Sequence, residues 1–198
     1  MMDLTELKEA IESKQYDKIA DICDELQLQL AAQGIKEPEG WPYCIHLLGH
    51  IYTQDINSAR FLWKRLPSSV KESQPEVVAV WKIGQCMWTH DYAGVHGALH
   101  SFNWSPEVQQ IITALSDSYT KRAFELLLAA YSTISVADTA QFLGMSKDDA
   151  LAYTLQRGWT LDSASQMLTV KKMPAVVDQR LHSSTLQNLT EYVFHLEH

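Results

Sequence analysis

The sequence predicts a mostly α-helical protein in three parts, and three observations support this. Apolar residues recur at three- and four-residue spacing through nearly every segment before Ser132, as in helices that bury one stripe. From Ser132 to Lys172 the pattern becomes a strand, two helices and a hairpin, the order of a winged helix. A heptad-spaced helix then runs to His198. We expect parts at residues 1–104, 105–172 and 173–198.

The first part is predicted to consist of helical hairpins. Helix pairs begin near residues 4, 42 and 75, a spacing of roughly 33 to 38 residues that is typical of tetratricopeptide-like repeats. The signature residues of that repeat are not visible, so three helical hairpins in an irregular bundle fit the pattern equally well.

Capping residues predict where individual helices begin. Asp3 with Glu6 and Ser73 with Glu76 have the spacing of capping boxes, and Gly34 is a typical residue after a helix end. A long helix is expected from Ser105 to about residue 131, with a break near residue 117 left open. The expected helix starts before residue 132 are Asp3, Asp17, Pro42, Asp55, Ser73, Asp91 and Ser105.

The predicted winged helix has short strands on both sides of a helix pair. Its helices are expected at Val136–Gly144 and Ser146–Arg157. Its strands are expected at Ser132–Val136, Trp159–Leu161 and Met167–Val170. Met173–Arg180 has the composition of a linker, and Ser183 or Ser184 is expected to cap the last helix.

Nucleic acid is a frequent partner of winged helices, but the charges of this one cancel. Asp148 and Asp149 stand at the start of the helix that would enter a groove. A phosphate-binding surface needs an excess of cations, so we expect no nucleic-acid partner. A nucleic-acid-binding protein remains the alternative from another functional class. The charged residues of 132–172 are Lys147, Arg157, Lys171 and Lys172 against Asp138, Asp148, Asp149 and Asp162.

Composition and charge are those of an ordinary intracellular protein. Hydrophobic residues make up 46% and charged residues 20% of the 198. Three cysteines, an odd number spread far apart, indicate a reducing compartment. The start has no signal-peptide pattern, and no apolar run approaches the ~20 residues of a membrane span. Residues 1–40 carry ten acidic and four basic side chains and thus −6 of the net charge of −8. We interpret this acidic segment as a solvated helix surface.

The sequence offers few residues suited to catalysis. His46 and His50 lie four residues apart on one helix face, as in zinc proteases, but no Glu follows His46 to act as general base. His96 and His100 repeat the spacing, again without that Glu. Motifs for nucleophilic elbows, phosphate loops and dinucleotides are absent. We therefore interpret the histidines as structural or exposed, and expect no catalytic residue, no metal and no cofactor.

Two apolar surfaces are predicted to bind partner proteins. The wing carries more apolar side chains than two or three short strands can cover, and an unpaired strand edge can accept a neighbour's strand. The last helix has apolar residues spaced three, four and three apart, which forms the seam of a helical bundle. The wing residues are Trp159, Leu161, Met167, Leu168 and Val170. The seam residues are Leu186, Leu189, Val193 and Leu196.

Five blocks of the sequence, four of them seven to ten residues long and one of four residues, are distinctive: Trp41–His50, Ser58–Lys64, Trp88–Gly94, Tyr119–Arg122 and Leu189–His198. Together, and in this order, they resemble the signalosome branch of the PCI family, in its plant form. The resemblance covers essentially the whole chain. It implies a fold of helical repeats leading into a winged helix, which agrees with the fold predicted from spacing.

The resemblance also implies a function. It implies a non-catalytic scaffold subunit, in cytoplasm and nucleus, of an assembly that removes the ubiquitin-like protein Nedd from cullins and so regulates cullin-RING ubiquitin ligases. The active-site zinc would belong to another subunit. Winged helices of such subunits align through strand edges, their C-terminal helices form one bundle, and subunit 3 is the expected neighbour. The alternative within this class is a paralogue from the proteasome lid or an initiation-factor complex.

Overall fold

The computed structural model describes residues 4–35, 40–171 and residue 194. These residues form a mostly helical protein, as predicted, with three short strands near the end. A 3-10 turn at Tyr16–Lys18 precedes the second helix. The helices are α1 (Thr5–Glu12), α2 (Ile19–Ala32), α3 (Tyr43–Tyr52), α4 (Ile56–Arg65), α5 (Ser68–Ser73), α6 (Pro75–Trp88), α7 (Tyr92–His100), α8 (Pro106–Ala130), α9 (Val136–Leu143) and α10 (Lys147–Gln156).

Four helices have a side-chain cap at their start; Asp55, Asp91 and Ser146 are expected helix starts, whereas Ser135 was expected in a strand. Asp55 and Asp91 accept hydrogen bonds from backbone N–H groups at the starts of α4 and α7, with distances of 3.0 and 2.9 Å. Ser135 and Ser146 do the same at α9 and α10, at 3.0 and 3.1 Å. These bonds satisfy N–H groups that lack a partner inside the helix, so local sequence is enough to predict them.

The expected capping box of Ser73 and Glu76 is wrong. Ser73 is the last residue of α5, a short helix that the sequence patterns did not predict, and α6 begins at Pro75. Proline is well suited to the first helical position because it has no N–H to satisfy there. Glu76 Oε1 instead accepts a hydrogen bond from the backbone N–H of Ser105 at 2.8 Å, which joins the start of α6 to the start of α8.

Helix α3 lies at the centre of the larger hydrophobic core. It packs against α2, α4, α6 and α8, and its side chains are buried on most of its circumference. A Cβ atom at Gly49 would lie only 2.8 Å from the backbone nitrogen of Ala20. The absence of a side chain at Gly49 therefore lets α2 approach α3 closely. The largest residues of this core that are fully buried are Trp41, Ile19, Leu47, Leu48, Ile51, Ile83, Ile111, His46 and Val77.

A second, smaller core lies between the end of α8 and the strands. Helix α8 is unbroken over 25 residues and contributes to both cores, so the break left open near residue 117 does not occur. Its residues up to Tyr119 pack in the first core, and those from Ala123 pack in the second. The division at residue 104 stays a prediction. The second core contains Ala123, Phe124, Leu127, Ile134, Val136, Leu143, Trp159, Leu168 and Val170.

The three strands form one antiparallel sheet in the order β1-β3-β2. They are β1 (Thr133–Ser135), β2 (Thr160–Asp162) and β3 (Met167–Thr169). Leu168 of the central strand pairs with Ile134 on one side and Leu161 on the other. The predicted order of strand, two helices and hairpin is present, although each strand is one or two residues shorter than expected or shifted by one. In the part of the chain that the structure describes, both β1 and β2 are edge strands.

Candidate functional site

The outer edge of β2 is the first candidate for partner binding. Thr160 and Asp162 are exposed and Leu161 is half-buried, so the side chains of this strand remain largely accessible to solvent. The hairpin turn after it is held by Asp162, which accepts hydrogen bonds from Ser165 Oγ at 2.6 Å and from the N–H of Ala164 at 3.1 Å. These two bonds, the Ser165 hydroxyl first, lower the pKa of Asp162. The turn therefore fixes the edge strand in a defined conformation.

Three of the five wing residues are buried. Trp159 is 2% exposed, and Leu168 and Val170 are also buried. Trp159 precedes β2 instead of lying within it. Gly158, at φ +84°, turns the chain so that the indole enters the second core and stacks on Phe124. The expected exposure of Trp159 was therefore wrong, whereas the prediction that part of the wing's apolar surface meets a partner stays a prediction.

Two wing residues retain exposed apolar surface. Leu161 and Met167 are both half-buried, and they lie on opposite faces of the sheet, since Leu161 pairs with Leu168 and Met167 pairs with Asp162. These two side chains and the β2 backbone are the accessible parts of the predicted wing interface, and the interface itself stays a prediction. The second predicted interface, the seam at Leu186, Leu189, Val193 and Leu196, lies outside the described residues and stays a prediction.

The second candidate is a polar cluster between α2 and α3. His46 and His50 are 0% and 5% exposed, so the histidines of this pair are buried and not exposed. Asp24 of α2 reaches them: its Oδ1 is 3.0 Å from His46 Nε2 and 3.6 Å from His50 Nε2. The two Nε2 atoms are 3.1 Å apart. Sequence reasoning missed Asp24, because no local spacing connects residue 24 with residue 46.

Trp41 determines where the hydrogen of His46 lies. Its indole N–H can only donate, and it points at His46 Nδ1 at 3.4 Å. His46 Nδ1 therefore accepts, and the single hydrogen of the neutral ring is on Nε2, from which it is donated to Asp24. Burial lowers the pKa of His46 to about 4, helped by the neighbouring His50 and opposed by Asp24. His46 is thus neutral at physiological pH.

The second histidine pair has no comparable partner. His96 is buried and its pKa is lowered by burial, whereas His100 is exposed and donates from Nδ1 to the carbonyl oxygen of His96 at 2.8 Å. Among the described residues, only Asp24, His46 and His50 bring three potential metal-binding atoms within 4.8 Å of one another. The two pairs share a spacing in sequence but differ in their surroundings.

Comparison with known proteins now gives the family. The model of the CSN8/PSMD8/EIF3K family matches residues 37–179. The chain belongs to this family. The matched part begins after α2, so it includes His46, His50 and the complete sheet but not Asp24.

Three relatives that match over nearly their full length are named COP9 signalosome complex subunit 8. The relative from Arabidopsis thaliana is 58% identical over 197 residues and covers 100% of both chains. The one from Xenopus laevis is 35% identical over 99% of this chain and 100% of its own, and the one from Dictyostelium discoideum is 30% identical over 99% and 98%. The resemblance found in the sequence is confirmed, and the chain is placed with the subunit 8 proteins of the CSN8/PSMD8/EIF3K family.

In this family member, the helix pair α9 and α10 has few positively charged side chains that could contact a phosphate backbone. Asp148 and Asp149 lie in the first turn of α10. The guanidinium of Arg157 lies over the ring of Tyr153, 3.4 Å from its centroid, and 5.1 Å from that of Phe124. This cation lies over aromatic rings, although the residue as a whole is exposed. Separately, no helix in the described segments combines the length and apolar character needed to cross a bilayer.

Proposed function

We propose that this chain is a non-catalytic scaffold subunit of the COP9 signalosome, the assembly that deneddylates cullins and thereby regulates cullin-RING ubiquitin ligases. The observation that carries the proposal is the 58% identity over the full length of a relative named as subunit 8 of that complex. Likeness along the whole chain supports shared partner surfaces as well as a shared fold. The absence of catalytic motifs from the sequence supports a scaffold role.

The fold suits assembly through two separate regions. We propose that α9, α10 and the sheet form a winged helix of the PCI type, and that the preceding helices form a tetratricopeptide-like repeat. In such a module, β2 adds its free edge to the neighbouring subunit, with Leu161 and Met167 covered by that neighbour. Support comes from the half-buried state of these side chains and from the outer edge of β2, which pairs with no strand among the described residues.

The neighbour at this edge is proposed to be subunit 3, and the last helix is proposed to join a bundle with the other subunits through Leu186, Leu189, Val193 and Leu196. The site of action is proposed to be cytoplasm and nucleus. The proposed function involves binding to neither nucleic acid nor a membrane.

Affinity purification of the tagged chain from cells of its source organism, followed by native mass spectrometry, tests the proposal. The expected result is one copy of the chain in a complex with the other signalosome subunits, and deneddylation of a cullin conjugate by the purified complex. The isolated chain should leave the conjugate intact. Recovery of proteasome-lid or initiation-factor subunits in place of signalosome subunits would support the paralogous function and contradict ours.

A further inference from the structure

We propose that Asp24, His46 and His50 form a binding site for one divalent transition-metal ion of the zinc type, which joins α2 to α3. This proposal revises the expectation from sequence that the chain binds no metal. It is independent of the role in the signalosome, whose active-site zinc is expected on another subunit.

The distances among the three donor atoms fit such an ion. Asp24 Oδ1, His46 Nε2 and His50 Nε2 form a triangle with sides of 3.0, 3.1 and 3.6 Å. Zinc binds histidine nitrogen and carboxylate oxygen at about 2.0–2.2 Å, and tetrahedral geometry then places the ligands about 3.3–3.5 Å apart. The three atoms therefore need to move by only a few tenths of an ångström.

The fold holds this triangle in place from both helices. His46 and His50 are four residues apart and so lie on the same face of α3. Gly49 brings α2 close to that face, which places Asp24 opposite both rings. The two imidazole rings are buried, so packing restricts their orientation, whereas the side chain of Asp24 is 51% exposed. The site thus has two rigid neutral ligands and one adjustable anionic ligand, a donor set suited to zinc.

A fourth position faces solvent. A cavity of about 380 Å³ lies against the cluster, lined by Asp24, His50, Ser58, Phe61, Leu62 and Arg65. An ion can enter from this cavity and keep a water molecule as its fourth ligand. No acidic side chain stands in the position of the zinc-protease base, since Leu47 follows His46. We therefore assign the site a binding role and not a hydrolytic one.

Two neighbouring groups oppose the ion and make the proposal testable. Arg65 lines the same cavity and its positive charge acts on the cluster. Metal binding at His46 Nε2 moves the ring hydrogen to Nδ1, where it meets the indole N–H of Trp41. In most zinc sites, the second ring nitrogen of a histidine ligand donates to an acceptor. Replacing Trp41 by a ring without an N–H should therefore strengthen metal binding.

The experiment is a titration of the purified full-length chain with Zn²⁺ by calorimetry, with Co²⁺ as a spectroscopic probe. We expect one equivalent of Zn²⁺ to bind, and Co²⁺ to give the visible absorption of a four-coordinate ion with nitrogen and oxygen ligands. Zn²⁺ should also raise the thermal midpoint of the chain, because it binds only the folded state tightly.

Variants then locate the ion. Asp24→Asn and His50→Gln should each weaken binding by at least about tenfold, since even outer-shell changes at metal sites cost about 10–100-fold. Asp24 is half-exposed, so this variant keeps its fold if His50→Gln does not. Trp41→Phe should bind Zn²⁺ more tightly, and His100→Gln, which removes a histidine of the other pair, should leave the affinity unchanged. Absence of stoichiometric binding, or binding that survives Asp24→Asn, would overturn the proposal.

Discussion

The indole ring of Trp159 stacks on the phenyl ring of Phe124, with centroids 5.2 Å apart and planes inclined by 24°. This contact joins the segment before β2 to the end of α8. Trp159→Ala removes the largest side chain of the second core and leaves a cavity there. We expect it to lower the free energy of unfolding by about 3–5 kcal/mol. Denaturant unfolding of the purified chain measures this change.

The matched control for Trp159 is Leu161→Ala, two residues on in the edge strand. Leu161 is half-buried and packs only partly against the same core, so its truncation should cost clearly less. Equal losses for the two variants would show that Trp159 is not an anchor of the core.

Leu161→Asp should reduce incorporation into the signalosome without unfolding the chain. The substitution places a charge on the edge strand that is proposed to meet a neighbouring subunit, while the strand's backbone bonds to β3 remain. Pull-down of partner subunits measures incorporation, and circular dichroism checks the fold. Leu155→Asp, an exposed leucine on α10, is the control that should assemble normally. Normal assembly of Leu161→Asp would remove β2 from the interface.

Replacing Leu189 and Val193 together by Asp should release the subunit from the complex. The predicted seam of the last helix buries four apolar side chains, each worth roughly 1.5–3 kcal/mol, in a bundle with partner subunits. Two charges in this seam should prevent that burial. The thermal midpoint of the isolated chain should barely move. A double variant that unfolds the monomer would instead place this helix in the core.

The stability of the chain should fall as the pH falls from about 6.5 toward 4. His46 has a folded-state pKa of about 4, below its ordinary value of 6.5, so the unfolded chain binds more protons in this window. The neutral ring therefore contributes its full stabilisation above pH about 6.5 and loses it progressively as the pH drops. Denaturant unfolding across this window measures the slope. His46→Gln should reduce this slope and His100→Gln should not, while buried His96, whose pKa is also lowered, keeps its share of the slope in both variants. An identical slope for His46→Gln would contradict the assignment.

Duplex DNA should bind weakly and without sequence preference at ~150 mM salt, because the 132–172 segment has four cations against four anions. Fluorescence anisotropy with a labelled duplex measures the affinity. Asp148→Lys with Asp149→Lys should strengthen this binding and steepen its salt dependence. Tight binding by the unmodified chain would favour the nucleic-acid alternative.

The sequence by itself determined the features that depend on neighbours along the chain. Asp55, Asp91 and Ser146 were predicted as helix starts because the cap bond is made within three residues. The spacing of apolar residues determined the helical class, since each helix has to bury one stripe. The family was also contained in the sequence, in blocks such as Trp41–His50.

Only the tertiary structure decided which side chains meet across elements. Asp24 joins His46 and His50 because Gly49 lets two helices approach closely, and no spacing in the sequence records that contact. Trp159 looked like an exposed wing residue, but its position before β2 and the turn at Gly158 direct it into the core. In both cases the deciding factor is the packing of elements distant in sequence, and packing depends on the path of the whole chain.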